Sequence, residues 1–383
     1  MNYVFPYITH IDEVIPHLDD NFIVARKHGY TVINYILNYE EAFSSDDPVR
    51  DKIRRECRGL VFDADGYISG RRLHKFFNIN ELPETRKENI DLSKPHVILE
   101  KLDGSMITPF ENTKGELLWG TKMGETDTSK QMVSFLEKNP HYNEFAKKCI
   151  DSSTTPIFEW VSPNNRIVLP YQEENLILIA IRGLQSGWYM PFNVMKDVAE
   201  KYNIPCVKTH SLSDLENVMK HLSSSQGEEG VVLRFDDGHM VKVKSEWYIR
   251  LHKTKEAISS EKNVVELILN NSLDDLKSIL MDEDVQKLNN YEKKFSQCLI
   301  DYCLLIVNIL DHVRKTNMSR KVFALTSENY SAKVKAVVFK FFDVDYTYYD
   351  IVKYISDMIL KHCNSNKKFE EFKEELYFKN LEY

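Results

Sequence analysis

The sequence predicts an α+β fold: a mixed antiparallel-sheet domain followed by an all-α C-terminal domain. Three observations carry that expectation. Between residues 50 and 245, short β-prone runs alternate with tight-turn signals. Of 13 glycines and 12 prolines, none lies beyond Gly238, so the last third of the chain is free of breakers. Past about residue 255, apolar residues recur every three or four positions, the helical period. A length of 383 residues suits two domains. The change of period places them at 1–254 and 255–383.

The elements follow in order. Gly59–Phe62 reads as a strand entering the Asp63-Ala64-Asp65-Gly66 turn. His96–Glu100 runs into Lys101-Leu102-Asp103-Gly104-Ser105, and Met106–Phe110 follows. Asn112-Thr113-Lys114-Gly115 separates that strand from Glu116–Lys122. Leu176–Ile181 is apolar throughout and fits a buried strand. Gly230–Phe235 and His239–Lys244 flank Asp236-Asp237-Gly238, a hairpin pattern. Helical patterns fall at 129–138, 193–202 and 211–222. In the last third, Leu288, Tyr291, Phe295, Cys298, Leu299, Tyr302, Leu305, Ile306 and Ile309 form one stripe on a long helix. Further stripes fall at 318–325, 333–342 and 347–362.

Composition narrows the class. The net charge of −8 excludes a globally basic nucleic-acid coat protein but leaves room for a local basic groove. The six cysteines show no CxxC spacing, so a reducing, intracellular compartment is expected. Residues 1–10 lack the basic flank and apolar run of a signal peptide. The most apolar stretch, Cys298–Leu310, is interrupted by Asp301 and Asn308, and no membrane span is expected.

Four short patterns carry chemistry. Lys101 ends an apolar strand with a glycine turn behind it; a lysine held in a desolvated or cation-rich pocket becomes a nucleophile. Glu159 sits between Phe158 and Trp160, which alternation puts on the opposite face of the strand. Glu228-Glu229-Gly230 opens a strand of similar ambiguity. Lys242 and Lys244, two apart, share a face that suits a phosphate chain. Between Met240 and Lys255, five basic residues stand against Glu246 alone, with Trp247, Tyr248 and His252 interleaved, the footprint of a phosphate or nucleic-acid groove. Taken alone, the Lys101 pattern reads first as a hairpin turn, Glu159 and Glu229 as solvent-facing carboxylates, and Lys242-Val243-Lys244 as a charged edge strand.

Their order is the specific signal. A KxDG lysine, a downstream strand glutamate, an EG glutamate and a KxK pair succeed one another as in the covalent nucleotidyltransferases. Glu56–Phe62, Lys75–Glu81, Pro163–Leu169 and Lys242–Tyr248 complete the series. Together they resemble the bacteriophage-type ATP-dependent RNA ligase 1 family over roughly residues 50–280, with weaker helical similarity beyond.

That resemblance implies a nucleotidyltransferase fold for the first domain and an ATP-dependent RNA ligase that joins 5′-phosphate and 3′-hydroxyl RNA ends through lysyl-AMP and RNA-adenylate. It implies Lys101 as the adenylated lysine. Arg58, Lys75 and Lys122 would bind ATP phosphates or AMP. Phe77 would pack near the nucleotide, and Glu100 would read the adenine amino group. Glu159 and Glu229 would hold the catalytic Mg²⁺ (or Mn²⁺) and its water shell. Lys242 and Lys244 would contact the α-phosphate and leaving group, and Tyr248 follows them. Asp274 and Asp275 match a paired aspartate for a second metal, and equally an acidic first turn of a helix. The Thr121-Lys122-Met123-Gly124 block departs from the family's serine-glycine pattern. The implied substrate is RNA, cleaved tRNA included, in RNA repair. The helical domain would choose it, in a monomeric, cytoplasmic enzyme of the host cell if phage-encoded. The alternatives are a non-catalytic RNA-end-binding protein on a ligase fold, or a ligase acting on DNA. The tail shows no oligonucleotide-binding barrel, which weighs against DNA ligation and mRNA capping.

Overall fold

A computed structural model describes residues 4–36, 42–212, 214–277 and 280–375, side chains of 275, 374 and 375 excepted. The chain forms two compact units, Met1–Ile249 and Arg250–Tyr383. The first is built on three four-stranded sheets, the second on helices alone among the described residues. This is the α+β class expected.

In the first sheet, β1 (Phe22–Lys27), β2 (Tyr30–Tyr35), β3 (Arg58–Asp63) and β4 (Ile68–Gly70) pair antiparallel in sequence order. Both faces of β3 are covered: Leu60 and Phe62 enter one apolar cluster, Val61 another. The remaining strands are β5 (Phe77–Asn78), β6 (His96–Lys101), β7 (Ser105–Glu111), β8 (Leu117–Gly120), β9 (Thr154–Val161), β10 (Asn175–Gly183), β11 (Gly230–Phe235) and β12 (Met240–Lys244). The second sheet runs β10-β9-β7-β8, all antiparallel. The third runs β5-β12-β11-β6, with β5 parallel to β12 and the other pairs antiparallel.

The turn residues act as their chemistry dictates. Asp63 Oδ1 accepts from the amides of Asp65 and Tyr67 at 3.0 and 2.9 Å. Asn112 Oδ1 accepts from those of Lys114 and Glu116, both at 3.0 Å. The 193–202 and 211–222 patterns become helices Phe192–Glu200 and Leu215–Ser224. The 129–138 pattern becomes two short helices, Asp127–Gln131 and Val133–Lys138. Leu176–Ile181 is a strand interrupted by a register shift between Leu178 and Ala180: Leu176, Leu178 and Ile181 enter one apolar cluster, whereas Ile177 and Ile179 are half-buried in another and Ile179 and Ala180 line a cleft.

Three features had no sequence expectation. The β1–β2 hairpin precedes residue 50. Helix Pro48–Glu56 follows Asp47, whose carboxylate accepts from the Val49 and Arg50 amides, with proline at the first position. Helix His141–Asp151 buries Tyr142, Phe145, Ala146 and Cys149 against the second sheet's apolar cluster.

A buried ion network closes this unit. Glu56 accepts from Arg71 Nε at 2.9 Å and from Arg182 Nη1 and Nη2, both at 2.8 Å. Arg182 Nη1 also donates to the Arg72 carbonyl at 2.6 Å, and Arg71 Nη2 to that of Pro6 at 2.8 Å. Burial pushes the Glu56 carboxyl up, but the Arg182 and Arg71 guanidiniums outweigh it and hold the group at about 2.

In the second unit the breaker-free sequence is helical. Its elements include Glu261–Leu269, Asp282–Lys315, Arg320–Thr326, Ala332–Phe341, Tyr348–His362 and Asn366–Glu375. The 34-residue helix Asp282–Lys315 carries the expected stripe; Leu288, Tyr291, Phe295, Tyr302, Ile306 and Ile309 are buried in the unit's core. By length and composition it is, among the described residues, the one helix that could cross a membrane; here the stripe packs against the other helices. With no glycine available, asparagines take the left-handed turns after two helices: Asn271 (φ 53°) and Asn317 (φ 48°).

Replacing Arg182 with Met leaves Glu56 a buried charge with one partner removed, a loss of about 3–5 kcal/mol in denaturant unfolding. The ionised Glu56 contributes fully above its ordinary value of 4.5 and loses that contribution as pH falls toward 2. Melting temperature measured between pH 5 and 2.5 should therefore fall less steeply in Glu56→Gln than in the parent.

Candidate active site

The third sheet sets the site by register. Gly230 of β11 lies opposite Lys101 of β6 on one side and Lys244 of β12 on the other. Glu229, just before Gly230, is thereby placed between two lysines. Its Oε1 receives Lys101 Nζ at 2.7 Å and Lys244 Nζ at 3.1 Å. The carboxylate is buried, while both lysine side chains retain partial exposure to a cleft of about 540 Å³.

Asp103 fixes the turn behind Lys101. The buried carboxylate accepts from the Val168 and Leu169 amides at 2.8 and 2.7 Å through Oδ2. Oδ1 accepts from the Tyr248 hydroxyl at 2.6 Å. One side chain thus ties the lysine turn to the 163–169 block and to the helix after β12. Gly104 permits the approach: a Cβ there would stand 2.4 Å from the Trp160 carbonyl oxygen.

Glu159 reaches the cleft from β9. Phe158 and Trp160 enter the apolar cluster behind the second sheet, so Glu159 faces the other way, as alternation requires. Burial raises its carboxyl most; Lys101 lowers it, Glu229 raises it, and Arg58 and the Gly104 amide lower it, leaving it at about 7.

The cationic side is crowded. Lys242 lines the cleft and is pushed down to about 6 by burial and then by Lys75 and Arg58. Lys75 is itself buried and lies at about 8, lowered by burial and by Arg58 and Arg55 against the pull of Glu81. Arg58 and Lys122 also line the cleft. Cations that depress one another in a desolvated pocket are stabilised together by a polyanion, which restores their charge.

Glu100, Lys101, Lys122, Glu159, Glu229, Lys242, Lys244, Tyr248 and Arg58 all line this one cleft. Two expected residues stand behind it. Lys75 Nζ sits 4.4 Å from the centre of the Phe77 ring, and Phe77 is 2% exposed in the core under the first sheet. The aromatic that faces the cleft is its neighbour Phe76, with Lys242 Nζ 5.3 Å from its ring centre. Asp274 lies in the second unit, exposed, and pairs with Lys277 at 3.2 Å. The side chain of Asp275 falls outside those described. Asp103 entered the sequence reading only as part of the KxDG turn, and Arg234 was not singled out; Arg234, a buried cleft residue, has an Nη1 without a hydrogen-bond partner among the described residues. The apolar lining, Leu99, Ile179, Val207 and Val232 among others, offers faces for a flat ring.

No group of three or more His, Cys, Asp or Glu side chains forms a metal cluster among the described residues. Hard oxygen donors of one or two carboxylates nevertheless suit Mg²⁺, which keeps most of its water. Glu159, a carboxylate short of counter-charge at the cleft, fits that demand.

Residues 56–248 match the family model described as RNA ligase, and residues 255–372 that of the T4 RNA ligase 1 C-terminal domain. The chain belongs to this RNA ligase family. The ligase is 27% identical over 276 residues, 70% of each chain, to a protein of Thermovibrio ammonificans named as a candidate RNA ligase. It is 26% identical over 281 residues, 68% of each chain, to RNA ligase 1 of bacteriophage TS2126. A solved archaeal ATP-dependent RNA ligase aligns over 70% of each chain at 13% identity and a TM-score of 0.43.

Removing the Tyr248 hydroxyl leaves a buried carboxylate oxygen of Asp103 without that 2.6 Å donor. Tyr248→Phe should cost about 1.5–3 kcal/mol in urea unfolding, with the slope of the transition unchanged.

Proposed function

We propose that this ligase is ATP-dependent and joins RNA 5′-phosphate to 3′-hydroxyl ends in three steps. The carrying observation is the shared Glu229 oxygen, which holds Lys101 Nζ at the cleft beside Lys244. Lys101 Nζ attacks the α-phosphorus of ATP; the bond to the β-phosphate bridging oxygen breaks and pyrophosphate leaves. Lys242, Lys244, Arg58 and Lys122 offset charge developing on the phosphates, with Lys75 supporting from behind. The RNA 5′-phosphate then attacks lysyl-AMP and frees the lysine. Finally the 3′-hydroxyl attacks the RNA-adenylate, seals the phosphodiester and releases AMP. The protein's work is positioning and charge stabilisation.

Mg²⁺ or Mn²⁺, when bound, supplies compensating charge to the phosphates; Glu159 would hold it and Glu229 would assist. Glu100 and the apolar lining would receive adenine. Asp274 and Asp275 would serve a second metal. The first unit would carry adenylyl transfer and the helical unit the choice of RNA, cleaved tRNA in an RNA-repair setting included. Six free cysteines support a reducing compartment, and the reading is of a cytoplasmic monomer. The intact Lys101–Glu229–Lys244 set favours an enzyme over a non-catalytic end-binding protein.

Incubated with α-labelled ATP and Mg²⁺, the protein should acquire a covalent AMP label that Lys101→Ala abolishes. A label surviving in Lys101→Ala refutes the nucleophile. Joining of single-stranded RNA but not of nicked DNA separates the RNA reading from the DNA one.

Glu159 must be ionised to hold a cation. Its carboxyl titrates near 7, so Mn²⁺ affinity should level off above pH 7 and fall about tenfold per pH unit below it. Glu159→Gln should flatten that profile in a titration followed by electron paramagnetic resonance.

A further inference from the structure

Arg72 is a fully desolvated guanidinium, 2% exposed, and no carboxylate forms a salt bridge with it among the described residues. It lies against an apolar cluster of Tyr30, Val32, Val61 and Phe110, with its charge centre 5.8 Å from the Phe110 ring centre. Burial pushes it down to about 9. A buried arginine in such surroundings is costly unless its fork does something that a hydrocarbon could not.

The fork joins two backbone segments. Arg72 Nη1 donates to the Gly59 carbonyl, and Nη2 to the Gly120 carbonyl at 3.1 Å. Each carbonyl belongs to the neighbour of a cleft residue: Gly59 follows Arg58, and Gly120 leads into Thr121 and Lys122. The second segment is a tight turn, in which Thr121 and Gly124 exchange backbone hydrogen bonds at 2.9 and 2.8 Å. The two segments touch without slack. Gly59 has φ +83°, and a Cβ there would stand 2.6 Å from Lys122 Cα. The Tyr30 hydroxyl accepts from the Glu125 amide at 3.1 Å, so the far end of the turn is anchored to β2 as well.

We propose that Arg72 is a positioning residue that sets the separation of Arg58 and Lys122, and so the width of the phosphate-binding rim of the cleft. It touches no substrate itself. The proposal rests on the ATP-dependent reading of the cleft. A planar fork can hold two diverging carbonyls at fixed spacing, whereas a lysine ammonium on a flexible stem cannot.

The test is Arg72→Lys, which keeps charge and most of the volume. In covalent AMP labelling, KM for ATP should rise at least tenfold while the maximal rate changes less than threefold. In a Lys122→Ala background the same substitution should change KM less than twofold, because the residue it acts through is gone. A wild-type-like KM in Arg72→Lys, or the same fold-change in both backgrounds, overturns the proposal. An unlabelled wild-type protein overturns the ATP-dependent reading and this inference with it; a labelled wild type with unchanged KM in Arg72→Lys overturns this inference alone. Thermal melting reports whether Arg72→Lys folds. If it does not, Gly59→Ala pushes β3 off the Lys122 turn by the same contact, and the same rise in KM, lost in the Lys122→Ala background, is expected of it.

Discussion

A single carboxylate oxygen governs the site. Glu229 Oε1 is the common partner of Lys101 and Lys244, and it can be so only because β11 lies between β6 and β12. Register does the rest: Gly230 faces Lys101 on one side and Lys244 on the other. Slip either pairing by one residue and the lysine would turn to the opposite face of the sheet. The apolar residues Val231, Leu233, Val241 and Val243, buried behind that sheet, hold the register because a slip would expose them. The hydrophobic core thus supplies the precision that the charges need.

Around that oxygen the electrostatics are deliberately unbalanced. Burial raises the Glu159 carboxyl more than Lys101 and Arg58 lower it, and burial depresses Lys242 with Lys75 and Arg58 adding to it. Each imbalance costs stability in the free protein and is relieved by a ligand of opposite sign. The contrast with Glu56 is instructive. Glu56, more deeply buried than either, receives two guanidiniums in good geometry and is held at about 2, a satisfied structural group. Burial alone does not distinguish a site from a scaffold; unmet charge beside an open cleft does.

Much of this was legible in the sequence. The strand blocks, the Asp-Gly and Asn-x-x-Gly turns, the alternation that turns Glu159 away from Phe158 and Trp160, and the stripe on helix Asp282–Lys315 are all local properties. So is the two-residue spacing that puts Lys242 and Lys244 into one cleft. What was not legible depends on partners far along the chain. Nothing local marks Arg71, Arg72 and Arg182; their roles appear only when Glu56, Gly59 and Gly120 are brought to them. Asp103 read as part of a turn; its bonds go to residues 168, 169 and 248. Phe76 and Phe77 are indistinguishable by type, and the parallel pairing of β5 with β12 settles which one faces the cleft.

The same division explains why the two units differ in legibility. In the first, chemistry-bearing residues are forced into sequence blocks, because a strand end or glycine turn must accompany each of them. In the helical unit no such coupling exists. Its stripe dictates packing, and its caps, such as Ser319, Ser331 and Thr347 with their own-helix amides, dictate where helices start. Neither constrains the outward residues. Scattered polar side chains on an outward face leave no local pattern in the sequence. The cleft residues are therefore written in motifs, whereas whatever the helical unit's outer face recognises is left unspecified by packing.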